Sequence, residues 1–160
     1  MENEIENISA TPIDQLEAVM VKYPPRDCPL RHRFLPGLYI REVLMPAQTL
    51  VTSQIHLTTH PFFVLQGKVS VINEDTGEEL YIEAPYSGTT YPNTRRVLYI
   101  HENCVWTTVH ATTVYPMSDK PEDIQAAVDL VESEILDERE NPLIGGRVKN
   151  NIISYKIDNK

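Results

Sequence analysis

Hydrophobic residues near the N-terminus recur with the spacing of one helical face. The N-cap of a helix favours a side chain such as Thr11, and the first helical position favours proline, which is present as Pro12. Asp14 adds an acid in the first turn. The YPP run at 23–25 breaks helical geometry. We therefore predict a short helix whose apolar stripe consists of Ile13, Leu16, Val19 and Met20.

From Leu38 onward the hydrophobic pattern alternates from one residue to the next, which is typical of β-strands. The sequence predicts a turn at 73–78, a loop at 85–94 and a second turn at 101–103. Short strands at this spacing favour a β-sandwich or barrel over alternating β/α units. The alternating segments are 38–45, 49–56, 61–72, 79–84, 95–100 and 104–115.

Acidic and apolar positions between 118 and 140 separate onto opposite sides of a helix, which predicts a C-terminal amphipathic helix. Residues 147–157 alternate again and predict a last strand, which would pair with an edge of its own sheet or of a neighbouring molecule. We expect one domain, divided into an N-terminal helix and connector (1–36), a β-barrel (37–116) and a C-terminal helix and tail (117–160).

Charge and composition narrow the classes of partner. The formal net charge of −9 argues against a nucleic-acid-binding surface, which needs a positive face. No apolar run approaches the ~20 residues that span a bilayer, and the acidic first ten residues lack the apolar core of a signal peptide. We therefore expect a soluble, cytoplasmic protein with no nucleic-acid or membrane partner, in which Cys28 and Cys104 are unpaired thiols.

Two histidines, His56 and His60, stand four positions apart in the segment SQIHLTTHPFFVLQG. On a straight strand they would share a face but lie about 13 Å apart, too far for ~2.1 Å bonds to one metal ion. A bend at 57–59, followed by Pro61, would end one strand at His56 and begin the next at His60. The bend would let the pair hold a metal ion or a ligand. The alternative is two ordinary histidines satisfied by backbone hydrogen bonds, and the sequence leaves both interpretations open.

A third candidate, His110, follows from the predicted hairpin between 95–100 and 104–115. In that hairpin Arg95 lies opposite His110 and Tyr99 lies opposite Trp106, so that all four share one face of the sheet. We therefore predict that His110 also faces the interior of the barrel, where it could serve as a ligand or as a buried histidine of the core.

The residues around His110 have the composition of a ligand pocket. Trp106, Thr108 and His110 alternate along one predicted face, and a half-polar interior of this kind is typical of small-molecule sites. The adjacent Arg95 and Arg96 point to opposite faces, so one of them can face inwards. A guanidinium beside His110 would suit a carboxylate or phosphate group. We predict a pocket lined by Gln54, Arg95, Tyr99, Trp106 and Thr108.

The segment 36–113 resembles the cupin family. The first cupin motif, G-x5-HxH-x3-4-E-x6-G, is matched in part. Gly67 corresponds to its closing glycine, and His56 corresponds to the second histidine of the pair. His60 stands at the glutamate position, and Gln54 replaces the first histidine. The resemblance thus implies an altered set of metal ligands.

The second cupin motif is matched more weakly. Pro92 corresponds to its proline, Thr94 replaces its glycine, and Val97 stands where the motif has its histidine. On the strand predicted to pair with Val97, His110 could supply the missing ligand. A site of His56, His60 and His110, with Gln54, would suit zinc, iron, manganese or nickel by ligand type, and a metal-free site is the alternative.

The same segment is similar to small single-domain cupin-like proteins encoded by tailed bacteriophages and prophages. The resemblance implies a mainly β fold, with a cupin-like antiparallel β-barrel or jelly roll between a short N-terminal helix and a C-terminal amphipathic helix. It implies no established activity. Fold alone does not determine function.

Three functions are compatible with the sequence. The first is a barrel with a divalent-metal or small-ligand site built from the histidines, with or without enzymatic activity. The second is a structural component of a phage particle or assembly, which would be found in the virion. The third is a module that binds a small molecule or a host protein. We expect a homo-oligomer, and the C-terminal helix and tail are the predicted contact with a phage or host partner.

Overall fold

The structure, a computed structural model, describes residues 9–146 and 153–156. In chain order its elements are helix α1 (Pro12–Met20), strands β1 (Leu30–Leu35), β2 (Leu38–Met45), β3 (Thr49–Thr52), β4 (His60–Asn73), β5 (Glu79–Glu83), β6 (Tyr86–Thr90) and β7 (Arg96–Ala111), helix α2 (Pro121–Ile135) and strand β8 (Ile153–Lys156). None of the helices in the described ranges is long and apolar enough to cross a membrane.

The predicted start of α1 is confirmed. The Thr11 hydroxyl accepts a hydrogen bond from the Asp14 backbone N–H at 3.1 Å, and the Asp14 carboxylate accepts one from the Thr11 N–H at 2.9 Å. The predicted apolar stripe is wrong in one position, because Val19 is exposed. The acids Asp14 and Glu17 are buried instead, since each forms an ion pair with Arg95.

The eight strands of the described residues form one antiparallel sheet centred on β4 and β7. The two central strands pair along most of their lengths. On its other edge, β7 pairs with β3 through its N-terminal half and with β2 through its C-terminal half. Strand β1 extends the sheet beyond β2, while β5 and β6 extend it beyond β4. The predicted fold class, an antiparallel β-barrel with one helix before it and one after it, is confirmed.

The predicted last strand is present as β8, which pairs with β3 of its own chain in the register Thr52↔Ile153 to Thr49↔Lys156. The remainder of that prediction, 147–152 and 157, lies outside the described residues. The first eight residues lie outside them as well.

Strand β7 runs without interruption through the turn that the sequence predicts at 101–103. Those three polar residues are exposed strand positions that face a bulge in β4, where the register shifts between Gln66 and Lys68. Gly67 makes the bulge, since its φ is +96° and a Cβ there would collide with the backbone oxygen of Asn103. The alternation between inward and outward side chains continues unchanged along β7, so its even-numbered residues face inwards on both sides of 101–103.

Four element boundaries also differ from the prediction. Strand β1 lies in the predicted connector, and β6 lies in the predicted loop at 85–94, where it pairs with the start of β4. Strand β3 ends at Thr52, before the predicted end at His56. Helix α2 ends at Ile135 because the next residue, Leu136, is extended and bridges to His56.

Helix α2 packs against β2 at one side of the barrel. Its buried face, made of Val128, Val131 and Ile135, contacts the fully buried Tyr39 of β2. The main core fills the barrel with apolar side chains from the central strands, and Val64, Val69 and Ile100 are completely inaccessible there. Of the two cysteines, Cys104 is buried in this core and Cys28 is half-buried at its margin.

Candidate functional site

A cavity of about 90 Å³ lies inside the barrel, next to the end of α2. A water molecule needs about 10–15 Å³ of such space, so the cavity holds several waters or a small organic molecule. Its walls come from β2, β3, β4, β6 and β7, and Ile135 and Leu136 at the end of α2 contribute to its lining. The histidines His56, His60 and His110 all line it.

The three histidines converge because the chain bends after β3. His56 lies in the bend and bridges to Thr94, and His60 is the first residue of β4, as the sequence predicts. The His56 and His60 rings are 5.2 Å apart, and the His60 and His110 rings are 4.3 Å apart, measured between centroids. On a straight strand His56 and His60 would lie about 13 Å apart, and the bend brings their rings to 5.2 Å between centroids.

Each ring is held by one nitrogen. His60 Nδ1 donates to the Thr58 carbonyl at 3.1 Å, and His56 Nδ1 donates to the Thr94 carbonyl at 3.3 Å. His110 Nε2 lies 2.8 Å from the Thr108 hydroxyl. A carbonyl can only accept, so the Nε2 atoms of His56 and His60 carry lone pairs.

Burial keeps the three imidazoles in the neutral form. Burial, together with the smaller effect of neighbouring histidine charge, lowers the pKa of His56 to about 3 and that of His110 to about 3. The pKa of His60 is also lowered, mainly by burial. At neutral pH the rings therefore present hydrogen-bonding nitrogens without positive charge.

Several polar atoms of this cavity have no hydrogen-bond partner in the protein. They are buried side-chain atoms on four lining residues, namely Gln54 Oε1, His60 Nε2, Thr90 Oγ1 and His110 Nδ1. Buried polar groups are satisfied in the great majority of cases. A cluster of exceptions in one cavity indicates a place where another molecule supplies the missing partners.

The structure brings some of the predicted pocket residues together and separates others. Gln54, Trp106 and Thr108 line the cavity with the three histidines. Arg95 does not, because it points out of the barrel and pairs with Asp14 on α1 at 2.8 Å. Tyr99 also lies on the outer face, where its ring contacts the exposed His101 at 4.9 Å. Both corrections have one cause, which is that β7 is a continuous strand and not a hairpin.

Arg96 takes the inward position that the sequence analysis gave to Arg95. Its guanidinium lies over the rings of Phe62, at 5.0 Å, and Trp106, at 6.0 Å, and the residue is 9 % exposed. The two rings are themselves stacked, with centroids 4.6 Å apart. Burial lowers the pKa of Arg96 to about 10, so the group stays charged at neutral pH. If 96–111 is read as one unbroken strand, its even-numbered residues face inwards, and this pattern would have identified Arg96 as an inward-facing residue.

A second arginine, Arg41, reaches the cavity from β2. Its Nη1 atom donates to Glu132 Oε2 on α2 at 2.7 Å, so its charge is balanced. Among the described residues that line the cavity there is no aspartate or glutamate. The cavity therefore combines neutral imidazoles with positive charge.

The fit of these residues to a divalent metal ion is partial. Three neutral imidazoles are suitable donors, and holding one ring nitrogen by a hydrogen bond while the other is free is the usual arrangement of metal-bound histidine. In the described part of the chain, however, no group of three or more His, Cys, Asp or Glu side chains is arranged to hold an ion.

No family model and no curated protein matches the sequence. Solved structures of similar fold include an RmlC-like cupin family protein with a double-stranded β-helix fold from Methanocaldococcus jannaschii. It is 10 % identical, with a TM-score of 0.46 over 54 % of this chain and 82 % of that one. An ectoine synthase from P. lautus is 14 % identical, with a TM-score of 0.46 over 54 % of this chain and 67 % of that one.

Protein NMB1881 from Neisseria meningitidis is also similar, at 11 % identity and a TM-score of 0.44, over 61 % of this chain and 96 % of that one. At such identities the likeness concerns the fold alone. With TM-scores below 0.5 it adds no argument about the cavity or its ligand, and the argument below rests on this chain's own residues.

Proposed function

We propose that the protein is a small-molecule-binding barrel whose ligand occupies the cavity of the three histidines. The observation that carries the proposal is the cluster of unpartnered polar atoms there, with His60 Nε2 and His110 Nδ1 among them. Leaving a buried polar atom without a partner costs about 1–3 kcal/mol. A ligand that supplies hydrogen-bond donors recovers part of that cost for each atom it satisfies.

The direction of the hydrogen bonds defines what the ligand must offer. His60 donates through Nδ1, so its Nε2 atom accepts, and a ligand hydroxyl or amine is the matching group. Around the polar end the cavity is apolar, with Met45, Val51 and Leu98 in its wall. A small molecule with a short apolar body and a donor group fits this lining.

The test uses Trp106, the single tryptophan of the chain, which lines the cavity and reports on its contents by fluorescence and by its indole N–H signal. Lactamide and lactate serve as probes, since both carry a hydroxyl donor on a short apolar body. We expect saturable changes of the Trp106 signals. If neither probe perturbs Trp106 at any concentration up to the solubility limit, the proposal is overturned.

The variant His60→Ala removes the acceptor and should weaken lactamide binding about three- to tenfold, the usual range for one neutral hydrogen bond. The matched control is His101→Ala, since His101 is an exposed histidine on the outer face of β7. It should bind the probe as the unaltered protein does. Equal affinity of all three proteins would contradict the role given to His60.

Divalent-metal binding is a second candidate, favoured by the free nitrogens of His60 and His110. Such an ion would supply a Lewis acid at the polar end of the cavity. The test is elemental analysis of protein purified without chelators, repeated on His56→Ala and His60→Ala. Stoichiometric zinc, iron, manganese or nickel that is absent from both variants would support it, and protein free of metal after exposure to all four ions would reject it.

The structural role in a phage particle and the docking of a host protein through the C-terminal helix remain predictions. The polar lining of the cavity supports ligand binding over a barrel that acts only as a spacer, because a spacer needs no convergent polar interior.

A further inference from the structure

The guanidinium of Arg96 is a buried charge at the cavity wall. The residue is 9 % exposed, and its guanidinium lies over the rings of Phe62 and Trp106. Among the residues that the structure describes, no carboxylate pairs with it. A buried charge is expensive unless a counter-charge and hydrogen bonds compensate it. Two aromatic faces compensate only part of that cost.

The neighbouring charges do not supply the missing anion. Arg41, the other arginine of the cavity, is also positive, and its described carboxylate partner is Glu132. Glu74 bonds through its backbone N–H to the neighbouring Arg95 carbonyl, but its carboxylate accepts from the backbone N–H of Ile13 at the start of α1. Among the described residues, the charge of Arg96 therefore has no counter-charge, and a negatively charged group in the cavity would neutralise it.

We infer that the ligand of this cavity is a small organic monocarboxylate whose carboxylate pairs with Arg96. The inference rests on the proposed function and adds the charge of the ligand to it. A guanidinium presents a planar pair of donors that matches a carboxylate in a bidentate arrangement. The stacked rings of Phe62 and Trp106 lie 5.0 and 6.0 Å from the guanidinium carbon and limit the positions that the fork can take.

The balance of charge favours a carboxylate over a phosphate. One uncompensated guanidinium matches one negative charge, whereas a phosphate monoester carries ≈ −1.5 to −2 at neutral pH. The apolar wall at Met45, Val51 and Leu98 has no further donors to satisfy the additional oxygens. The unpartnered nitrogens of His60 and His110 line the same cavity and suit a hydroxyl or amine of the same molecule, so a short hydroxy acid meets both requirements.

The experiment compares two probes of nearly the same shape and different charge, lactate and lactamide, on the unaltered protein. Both are titrated at neutral pH in buffer free of other carboxylates, with Trp106 as the reporter. We expect lactate to bind about tenfold more tightly, since hydrogen bonds to charged groups are worth more than neutral ones. Lactamide binding as tightly as lactate would overturn the inference and leave the proposed function standing. Binding of neither probe would overturn both.

Variants then test whether Arg96 is the source of the preference. Arg96→Gln should abolish the preference for lactate while lactamide binding persists, and Arg96→Lys should retain part of it because the charge remains. The matched control is Arg33→Gln, which removes an exposed arginine on β1. A preference for lactate that survives in folded Arg96→Gln protein would overturn the assignment to Arg96. If Arg96→Gln fails to fold, the comparison of Arg96→Lys with the unaltered protein decides the question.

Discussion

Arg95 and Arg96 are adjacent and face opposite ways, and each is buried in a different environment. Arg95 leaves the barrel and forms ion pairs with Asp14 at 2.8 Å and Glu17 at 2.9 Å. Arg96 points inwards to the aromatic wall of the cavity. One arginine therefore fixes the N-terminal helix to the sheet, while the other provides the charge of the cavity. Substitutions at the two positions should have separable effects.

Arg95→Ala should destabilise the fold by about 3–5 kcal/mol, because it leaves the buried carboxylates of Asp14 and Glu17 without this partner. The measurement is urea denaturation, with Arg33→Ala as the control for loss of an exposed arginine. We expect the control to stay within about 0.5 kcal/mol of the unaltered protein. A loss below about 1 kcal/mol for Arg95→Ala would contradict a structural role for the pair.

At the scale of elements, the bulge in β4 lets the long strand β7 curve across the sheet without breaking. Gly67 allows it by two separate properties, its positive φ and its close approach to the backbone of Glu102 and Asn103. A side chain at this position would have to displace main chain and not a flexible side chain.

Gly67→Ala should therefore cost more than backbone strain alone, which is about 1–3 kcal/mol at a positive φ. The matched control is Gly37→Ala, since Gly37 has a φ of +83° and open space where the Cβ would lie. Chemical denaturation of both variants separates the two contributions. Equal losses at the two positions would show that the contact with β7 is unimportant.

Helix α2 acts as the cover of the cavity. Its last residue, Ile135, accepts through its carbonyl from the Leu57 N–H at 2.9 Å, and the Asp137 N–H donates to the Ile55 carbonyl at 2.9 Å. These bonds join the end of α2 to the bend that carries His56. The packing of α2 on Tyr39 thereby fixes one wall of the cavity.

Val131→Ala should lower the free energy of unfolding by about 2 kcal/mol, since it removes two buried methyl groups from this packing. It should also speed amide exchange at Leu57 and Asp137, whose bonds depend on the position of α2. Leu130→Ala is the control, because Leu130 lies on the same helix and is exposed. Unchanged exchange at both amides would show that α2 is not the cover.

The sequence predicted the architecture better than the site. Alternation and helix capping identified the barrel and both helices, because these patterns are local. The convergence of His56 and His60 was predictable from the bend before Pro61. The sequence analysis placed Arg95 in the cavity where the structure has Arg96, because it interpreted the polar residues 101–103 as a turn. These residues are polar because they are exposed beside the bulge at Gly67, a contact between strands distant in sequence.

At the scale of the whole molecule, one buried ionic cluster joins the N-terminal helix, the barrel and the segment after α2. Asp14 is completely buried and receives hydrogen bonds from Arg95 and from Arg139, the latter at 2.6 Å. Asn141 adds a bond to the Glu17 carboxylate at 2.9 Å. Burial raises the pKa of Asp14, but the hydrogen bonds from Arg139 and Arg95 outweigh it and hold the pKa well below its usual range.

The cluster predicts a loss of stability in acid. The pKa of Asp14 is lower in the folded protein than its ordinary value of 3.8, so its contribution is complete above that pH and is lost as the pH falls further. Below it, this group should add up to about 1.4 kcal/mol per pH unit to the decline in the free energy of unfolding. Denaturation of the unaltered protein and Asp14→Asn between pH 2 and 6 measures it. Identical slopes would contradict the prediction.

The cover of the cavity and its fastening to α1 follow the central strands along the chain, and this sets an order of events during synthesis. The last barrel strand of the central pair ends at Ala111, whereas the residues that secure the cover extend to Asn141. At about 5–20 residues per second, a ribosome needs roughly 1.5–6 s for the intervening stretch. Until that stretch is made, the nascent barrel lacks Ile135 and Leu136 in the lining of the cavity and the bond from Asn141 to Glu17 on α1.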